Sequence, residues 1–366
     1  MTLMQEMNRR ALQAGVPLGV QFDLTYRCNQ DCVHCYLDHE DRGEMTADEI
    51  KGVLDQLAAA GVFFLTFSGG EVQLRADFFP ILEHARSLLF CVKLKTNATM
   101  IGEPEADRLL ELDIESVQVS VYSHRAEVHD AITKLPGSLE RSLAGIRWLR
   151  ARGIKTIMVN VLMRQNLQDW PGVLALAKEA GAVYTIDPSV TPRMNGDRSV
   201  LGLGISAADL RQVFRTPELV GNVQEFCAPP APVDAQALHE LPCSASHTFC
   251  YLSPYGDVFP CVQFPLLTGN LRREKFLDIW RHSPVMHEVR TIHTRDLPVC
   301  SACAHAGTCT RCPGLAYMEG DRRGPSTQDC EKAFARTGVL PATMLAGQPA
   351  ASSPAPLDAL PPPPRP

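Results

Sequence analysis

Between residues 18 and 188 the chain alternates short apolar runs with helix-like segments, and few architectures accept that pattern. The runs are GVQFDLT (19–25), VFFLTF (62–67), CVKLKT (91–96), ESVQVSV (115–121), IKTIMVNVL (154–162) and AVYTID (182–187). Each is followed by a helix or by a connection long enough to hold one. In TADEIKGVLDQLAAAG, Thr46 and Glu49 predict a capping box and Gly61 a C-terminal stop. SLERSLAGIRWLRARG (138–153) reads the same way and ends at Gly153. Six strand–helix units predict an α/β fold, a parallel sheet wound with right-handed crossovers, either open or closed into a partial barrel. In such folds ligands bind on the loops at the C-terminal ends of the strands.

Thirteen cysteines are many for such a chain, and they are unevenly placed: three at 28–35, Cys91 alone, and nine between Cys227 and Cys330. The odd count argues against a disulfide framework, as does a polar N-terminus, MTLMQEMNRRALQAG, with no apolar signal-peptide core. Ligation of metal or clusters accounts for the thiols most economically. The net charge of −6, with Lys and Arg scattered, offers no surface for nucleic acid. No apolar run approaches the roughly 18 residues of a membrane span. A cytoplasmic enzyme with no nucleic-acid or membrane partner is expected.

Cys28, Cys32 and Cys35 follow the first strand directly, spaced Cys-x3-Cys-x2-Cys, on the loop where a ligand would sit. Three thiolates can hold three irons of a four-iron cluster and leave the fourth iron open to a substrate or cofactor. A structural zinc site closes with four ligands, and no fourth cysteine completes this loop, although His34 and His39 are near.

This arrangement resembles the radical SAM superfamily, whose signature is Cys-x3-Cys-x-aromatic-Cys after the first barrel strand. Here His34 takes the aromatic place and Tyr36 follows the third cysteine. The resemblance implies a partial (β/α)6 barrel and S-adenosylmethionine bound to the open iron, cleaved reductively to a 5′-deoxyadenosyl radical. SGGEV (68–72) is similar to the family's GGE motif, with Val72 where many relatives have proline. It implies that Gly69 and Gly70 let the methionyl group approach closely and that the Glu71 carboxylate receives its amine. TNATM (96–100) stands where relatives have TNGT. Ser120 and Asn160 occupy places where members contact the ribose or carboxylate. Arg193, in TPRMNGDRS (191–199), is placed to meet S-adenosylmethionine or substrate.

Downstream the spacing is Cys243-x12-Gly256-x4-Cys261, then Cys300-x2-Cys303-x5-Cys309-x2-Cys312, then Cys330. It resembles the SPASM domain, a seven-cysteine module that binds two auxiliary four-iron clusters; the x2 spacing before Cys312 departs from the usual x3. The resemblance implies that Cys300, Cys303, Cys309 and Cys330 enclose the outer cluster. Cys243, Cys261 and Cys312 would hold the inner one, completed by Cys227, by Cys250 or by an open iron, with Cys227 preferred. PYGDVFPC (254–261) reads as a hairpin turned at Gly256 with Cys261 ending its second strand, and Cys91 and Cys250 read as packed thiols.

The expected layout is an N-terminal segment 1–17, the barrel 18–222, the cysteine-rich domain 223–335 and a disordered Pro/Ala-rich tail 336–366. The function implied by the resemblance is a maturase that abstracts hydrogen from a small ribosomally made precursor peptide, giving a crosslink or another modification. A flavodoxin or ferredoxin would supply electrons. Fewer than about twenty residues precede the barrel, so a separate recognition protein or the C-terminal module would recognise the peptide. Two alternatives stand beside it: a formylglycine-generating enzyme of the anaerobic sulfatase-maturase type, and a multi-cluster electron carrier. The GGE-like motif speaks against the carrier. Asp23 and Asp187, near strand ends, are candidates for a general base.

Overall fold

The structure, a computed structural model, describes residues 2–39, 42–231, 233, 238, 239, 241 and 243–345. It divides into two compact units. One holds the residues up to Met194 with Ser199–Ile205 and Ser244–Arg290; the other holds Asn195–Arg198, Ser206–Cys243 and the residues from Thr291 on.

In the first unit α1 (Leu3–Ala14) leads into β1 (Gly19–Thr25), followed by α2 (Ala47–Ala59), β2 (Phe64–Gly69), α3 (Phe78–Ser87), β3 (Cys91–Thr96) and α4 (Glu103–Glu111). Then come β4 (Ser116–Ser120), α5 (Ala126–Thr133), α6 (Ser138–Ala151), β5 (Thr156–Val161), α7 (Trp170–Ala180) and β6 (Val183–Asp187). These six strands pair in parallel in sequence order. β7 (Phe249–Leu252), β8 (Asp257–Phe259) and β9 (Gly269–Asn270) extend the same sheet, giving the order β6-β5-β4-β3-β2-β1-β7-β8-β9.

β7 runs parallel to β1, from Gly19 opposite Phe249 to Phe22 opposite Leu252. That pairing draws residues 244–290 into the unit of the barrel strands, so the boundary expected after residue 222 does not divide the compact units. It also places β1 between two neighbours, and all seven of its residues are buried. The hairpin at Gly256 forms, with Gly256 at φ +86, but Cys261 lies beyond β8, in a bridge to Phe264.

β3 alternates as a half-covered strand must. In β3, Val92, Leu94 and Thr96 are buried, while Cys91, Lys93 and Lys95 face the other side. Val92 and Leu94 join Phe22, Leu65, Phe67 and Val117 in a core closed by Ile50 and Leu54 of α2, Ile81 of α3 and Ile146 of α6. The Thr46 capping box is present: the Thr46 amide donates to Glu49 Oε2 at 2.7 Å and the Glu49 amide to Thr46 Oγ1 at 3.3 Å.

In the second unit the helix Ala207–Val213 meets the helix Thr327–Thr337, where the Arg211 guanidinium lies 5.0 Å from the Phe334 ring centre. The remainder is mostly short helices and turns. The expected tail from residue 336 is corrected by that last helix, which ends at Gly338 in the left-handed region (φ +77). A further turn, Ala342–Leu345, follows it. Residues 346–366 of the expected tail lie outside the described residues.

Candidate active site

The loop after β1 carries Cys28, Cys32 and Cys35, and all three line one cavity of about 340 Å³ in the first unit. Backbone bonds fix the loop: the amides of Asp31 and Val33 donate to the carbonyls of Thr133 and Ile132 beside α5, and the Cys35 amide donates to the Cys32 carbonyl. Burial pushes the Cys28 thiol up to about 11, against the pull of the Gln30 backbone amide. Burial raises the Cys32 thiol further, with Cys35 and Cys28 adding repulsion. Such thiols give up their protons to a bound cation rather than to water. The grouping is looser than one ion needs: among the described residues no three His, Cys, Asp or Glu side chains converge on a single-ion site.

His34, in the aromatic place of the motif, packs edge-on against Tyr122 at 4.7 Å between ring centres. Burial holds its imidazole down at about 4, so at neutral pH it is an uncharged ring. His39 Nδ1 meets the Tyr26 carbonyl at 2.8 Å. Among the described residues Gln30 Nε2 and His34 Nδ1 are buried without a protein partner, and both residues line the cavity, as does His39, whose ring lies against Cys35. A polar ligand seated among the thiols would satisfy them.

Gly69 and Gly70 also line the cavity, yet the neighbours that demand glycine are protein. A Cβ on Gly69 (φ +129) would stand 2.1 Å from the Thr25 carbonyl oxygen, and one on Gly70 would stand 2.2 Å from that of Arg27. The amides of Gly70 and Glu71 donate to those same two carbonyls, at 2.9 Å each. The glycines therefore let the end of β2 lie on the strand that leads into Cys28.

Glu71 is fully buried and does not line the cavity. Its carboxylate accepts from Thr96 Oγ1 at 2.7 Å, the Asn97 amide at 2.9 Å and the Gln73 amide at 3.2 Å. These bonds clamp the ends of β2 and β3 together. Asn97 continues the clamp, its side-chain amide donating to Asn29 Oδ1 at 2.8 Å.

Ser120 lines the cavity with Gln118, and the Tyr122 hydroxyl reaches both Ser120 and Cys32. Asn160 does not. Val159 and Val161 face the cavity, so strand alternation turns Asn160 the other way, fully buried, toward the Tyr184 hydroxyl at 3.4 Å and the Asn166 amide at 3.3 Å. Asp187 lines the cavity and Arg193 does not. Asp23 is buried behind it, taking bonds from Gln21 Nε2 at 3.1 Å and the Tyr251 hydroxyl at 2.9 Å. Sequence reasoning missed Gln21 and Lys95, which line the cavity; the available signal was a lysine recurring on one face of an apolar strand.

In the second unit Cys300, Cys303, Cys309 and Cys330 line a separate cavity of about 50 Å³ together with Arg311 and Asp329. Burial pushes the Cys309 thiol up to about 12 and raises Cys300 and Cys330, with Arg311 easing Cys300. Pro341 lines this cavity, His305 Nε2 meets the Val339 carbonyl at 3.0 Å, and the Ala342 amide donates to Cys303 Sγ at 3.4 Å. Residues 338–342 are thus ordered by the thiol site. Cys243, Cys312 and Cys227 belong to this unit and Cys261 to the first. The Cys227 thiol donates to the Phe214 carbonyl at 3.1 Å. Cys250, fully buried in β7, packs in the core of the first unit.

Residues 22–177 match the Radical SAM superfamily, and residues 243–313 match SPASM, an iron–sulfur cluster-binding domain. The PqqA peptide cyclase of Xanthomonas campestris pv. campestris is 33% identical over 346 residues, 88% of this chain and 89% of the relative. The mycofactocin maturase MftC of Mycobacterium tuberculosis is 29% identical over 355 residues, 92% of this chain and 89% of the relative. The AdoMet-dependent heme synthase of Methanosarcina barkeri is 29% identical over 327 residues, 82% of this chain and 92% of the relative. Streptococcus suis SuiB, solved with its precursor peptide SuiA, shares the fold at a TM-score of 0.70 and 17% identity, over 89% of this chain and 79% of that one. The chain belongs to the radical SAM superfamily and carries a SPASM domain: it is an enzyme of S-adenosylmethionine and iron–sulfur clusters.

Proposed function

We propose that the enzyme matures a ribosomally made peptide, abstracting hydrogen from one residue to install a crosslink or another modification. The observation that carries this reading is the cavity itself. Three thiols, the buried side-chain nitrogens of Gln30 and His34, and polar side chains of β1, β3, β4 and β6 converge on one space, and about 340 Å³ is room for a small ligand. The name of one relative, a peptide cyclase, supports a peptide rather than a free metabolite.

In this reading Cys28, Cys32 and Cys35 hold the four-iron cluster that binds S-adenosylmethionine, and the bound pair supplies the hydrogen-abstracting radical chemistry. Gly69, Gly70 and Ser120 border the methionyl and ribose positions. Glu71 fixes the β2 and β3 ends on which those positions depend. Neutral His34 and the Tyr122 ring wall the thiols from water. Cys300, Cys303, Cys309 and Cys330 hold the outer auxiliary cluster, and Cys243, Cys312 and Cys227 supply ligands to the inner one. A flavodoxin or ferredoxin delivers electrons, and a separate recognition protein presents the peptide.

The test is anaerobic incubation of the reconstituted enzyme with S-adenosylmethionine, a reductant and synthetic peptides copied from the short reading frames beside the gene. The reading expects one peptide to change mass, dependent on S-adenosylmethionine. Conversion of a porphyrin, or of a serine or cysteine in a folded sulfatase, with every peptide unchanged would replace it.

A further inference from the structure

Lys95 is a cation set into the wall of the cavity with little to hold it there. It stands on β3, lines the cavity and is half-buried. Among the described residues its ammonium makes one hydrogen bond, to Gln21 Oε1 at 3.0 Å, although it carries three donors. Among the described residues no carboxylate lies within ion-pairing distance; Asp23 and Asp187 act on it only from farther off, as does Cys261. Gln21 is itself fixed, because its other amide atom donates to Asp23 Oδ1 at 3.1 Å, and Asp23 in turn takes the Tyr251 hydroxyl at 2.9 Å. The lysine is therefore braced by a neutral amide on a buried relay and keeps two donors for the cavity. Removing an ammonium from water without pairing it is costly, and structures keep such groups where a ligand completes them.

Its depth narrows the ligand. Lys95 pairs with Gln118 across β3 and β4, two residues below Asn97, whose amide adjoins the thiol loop. At about 3.3 Å per residue it sits one layer deeper than the thiol rim. Asp187, Val262 and Gln263 border the cavity too, Gln263 on the loop just past Cys261.

We propose that Lys95 is a substrate-recognition residue whose ammonium receives a carboxylate of the peptide, either an acidic side chain or a C-terminus, and so selects the residue presented for hydrogen abstraction. This rests on the reading of the cavity as the reaction site. An ammonium–carboxylate bond in a secluded cavity is short, charge-assisted and unavailable to amide-bearing analogues, which gives discrimination as well as affinity. The methionyl carboxylate of S-adenosylmethionine is the competing source of the same chemistry.

The test uses reconstituted holoenzyme with S-adenosylmethionine bound and four small probes in equilibrium dialysis: N-acetylglutamate α-amide, N-acetylglycine and their neutral counterparts, N-acetylglutamine α-amide and N-acetylglycinamide. One acid is expected to bind at least tenfold more tightly than its amide, and Lys95→Met to abolish that preference; which acid does so tells side chain from C-terminus. Lys95→Met is close in shape and deletes a half-buried charge, so its melting temperature should not fall. Lys95→Gln provides a second neutral variant with the same expected loss. Equal binding of acids and amides by the wild type, or a preference that survives both substitutions, would overturn the proposal. So would a tenfold loss of S-adenosylmethionine affinity in Lys95→Met with the acid preference intact, since the cation would then serve the methionyl carboxylate. Wild-type enzyme that binds an acid through Lys95 but never cleaves S-adenosylmethionine would count against the maturase reading and not against this site.

Discussion

Glu71 shows how far one side chain's role depends on where its hydrogen bonds go. The carboxylate already has donors from Thr96, Asn97 and Gln73. Glu71→Gln should therefore cost stability, because an amide nitrogen turned toward these donors leaves at least one buried N–H or O–H unmatched, at about 1–3 kcal/mol. Denaturant unfolding would read that loss. Unchanged stability combined with lost S-adenosylmethionine affinity would instead show a carboxylate directed at the ligand. Asp23 makes a pH-dependent contribution of the opposite kind. Burial pushes its carboxyl up to about 6, outweighing bonds from Gln21 and Tyr251. A raised folded value favours the protonated native state, so this contribution is full below the unfolded value near 3.9 and disappears as pH rises through about 6. Asp23→Asn should remove that slope and gain on the wild type between pH 5 and pH 8, by up to about 3 kcal/mol. Parallel slopes for the two proteins would show that Asp23 is ionised throughout.

At the scale of the element, the contact of β2 with β1 positions the thiol loop. Gly70→Ala would drive a methyl group into the Arg27 carbonyl, 2.2 Å away, and must displace the backbone entering Cys28. A loss of about 1–3 kcal/mol is expected. Gly52→Ala, in α2 with nothing within 4 Å of the added atom, should be neutral or stabilising by up to about 1 kcal/mol. Equal effects of the two would mean that the close approach is not maintained. The elements also mark what was legible in the sequence. Six parallel strands and the α2 cap were readable because period-two and period-3.6 patterns and cap residues are local signals. The partnership of β7 with β1 was not, since four residues carry no register and the partner lies some 230 positions away in the chain. The facing of Asn160 was not readable for a related reason: IKTIMVNVL is apolar on both faces, so its pattern does not say which face looks inward. Glu71 was found by its motif, but its partners Thr96 and Asn97 come from another strand.

For the whole molecule, two thiol-lined cavities lie in two different compact units, each assembled by its own unit's contacts. That separation allows the first site to be removed without the second. Iron content and reductive cleavage of S-adenosylmethionine, measured on one anaerobically reconstituted preparation beside its Cys28→Ala/Cys32→Ala/Cys35→Ala variant, test the central claim most directly. The wild type should hold about twelve irons, four for each of three clusters, and release 5′-deoxyadenosine under reduction. The variant should keep about eight and release none. Cleavage that persists in the variant, or an iron content that does not fall, would contradict the assignment of the three thiols after β1.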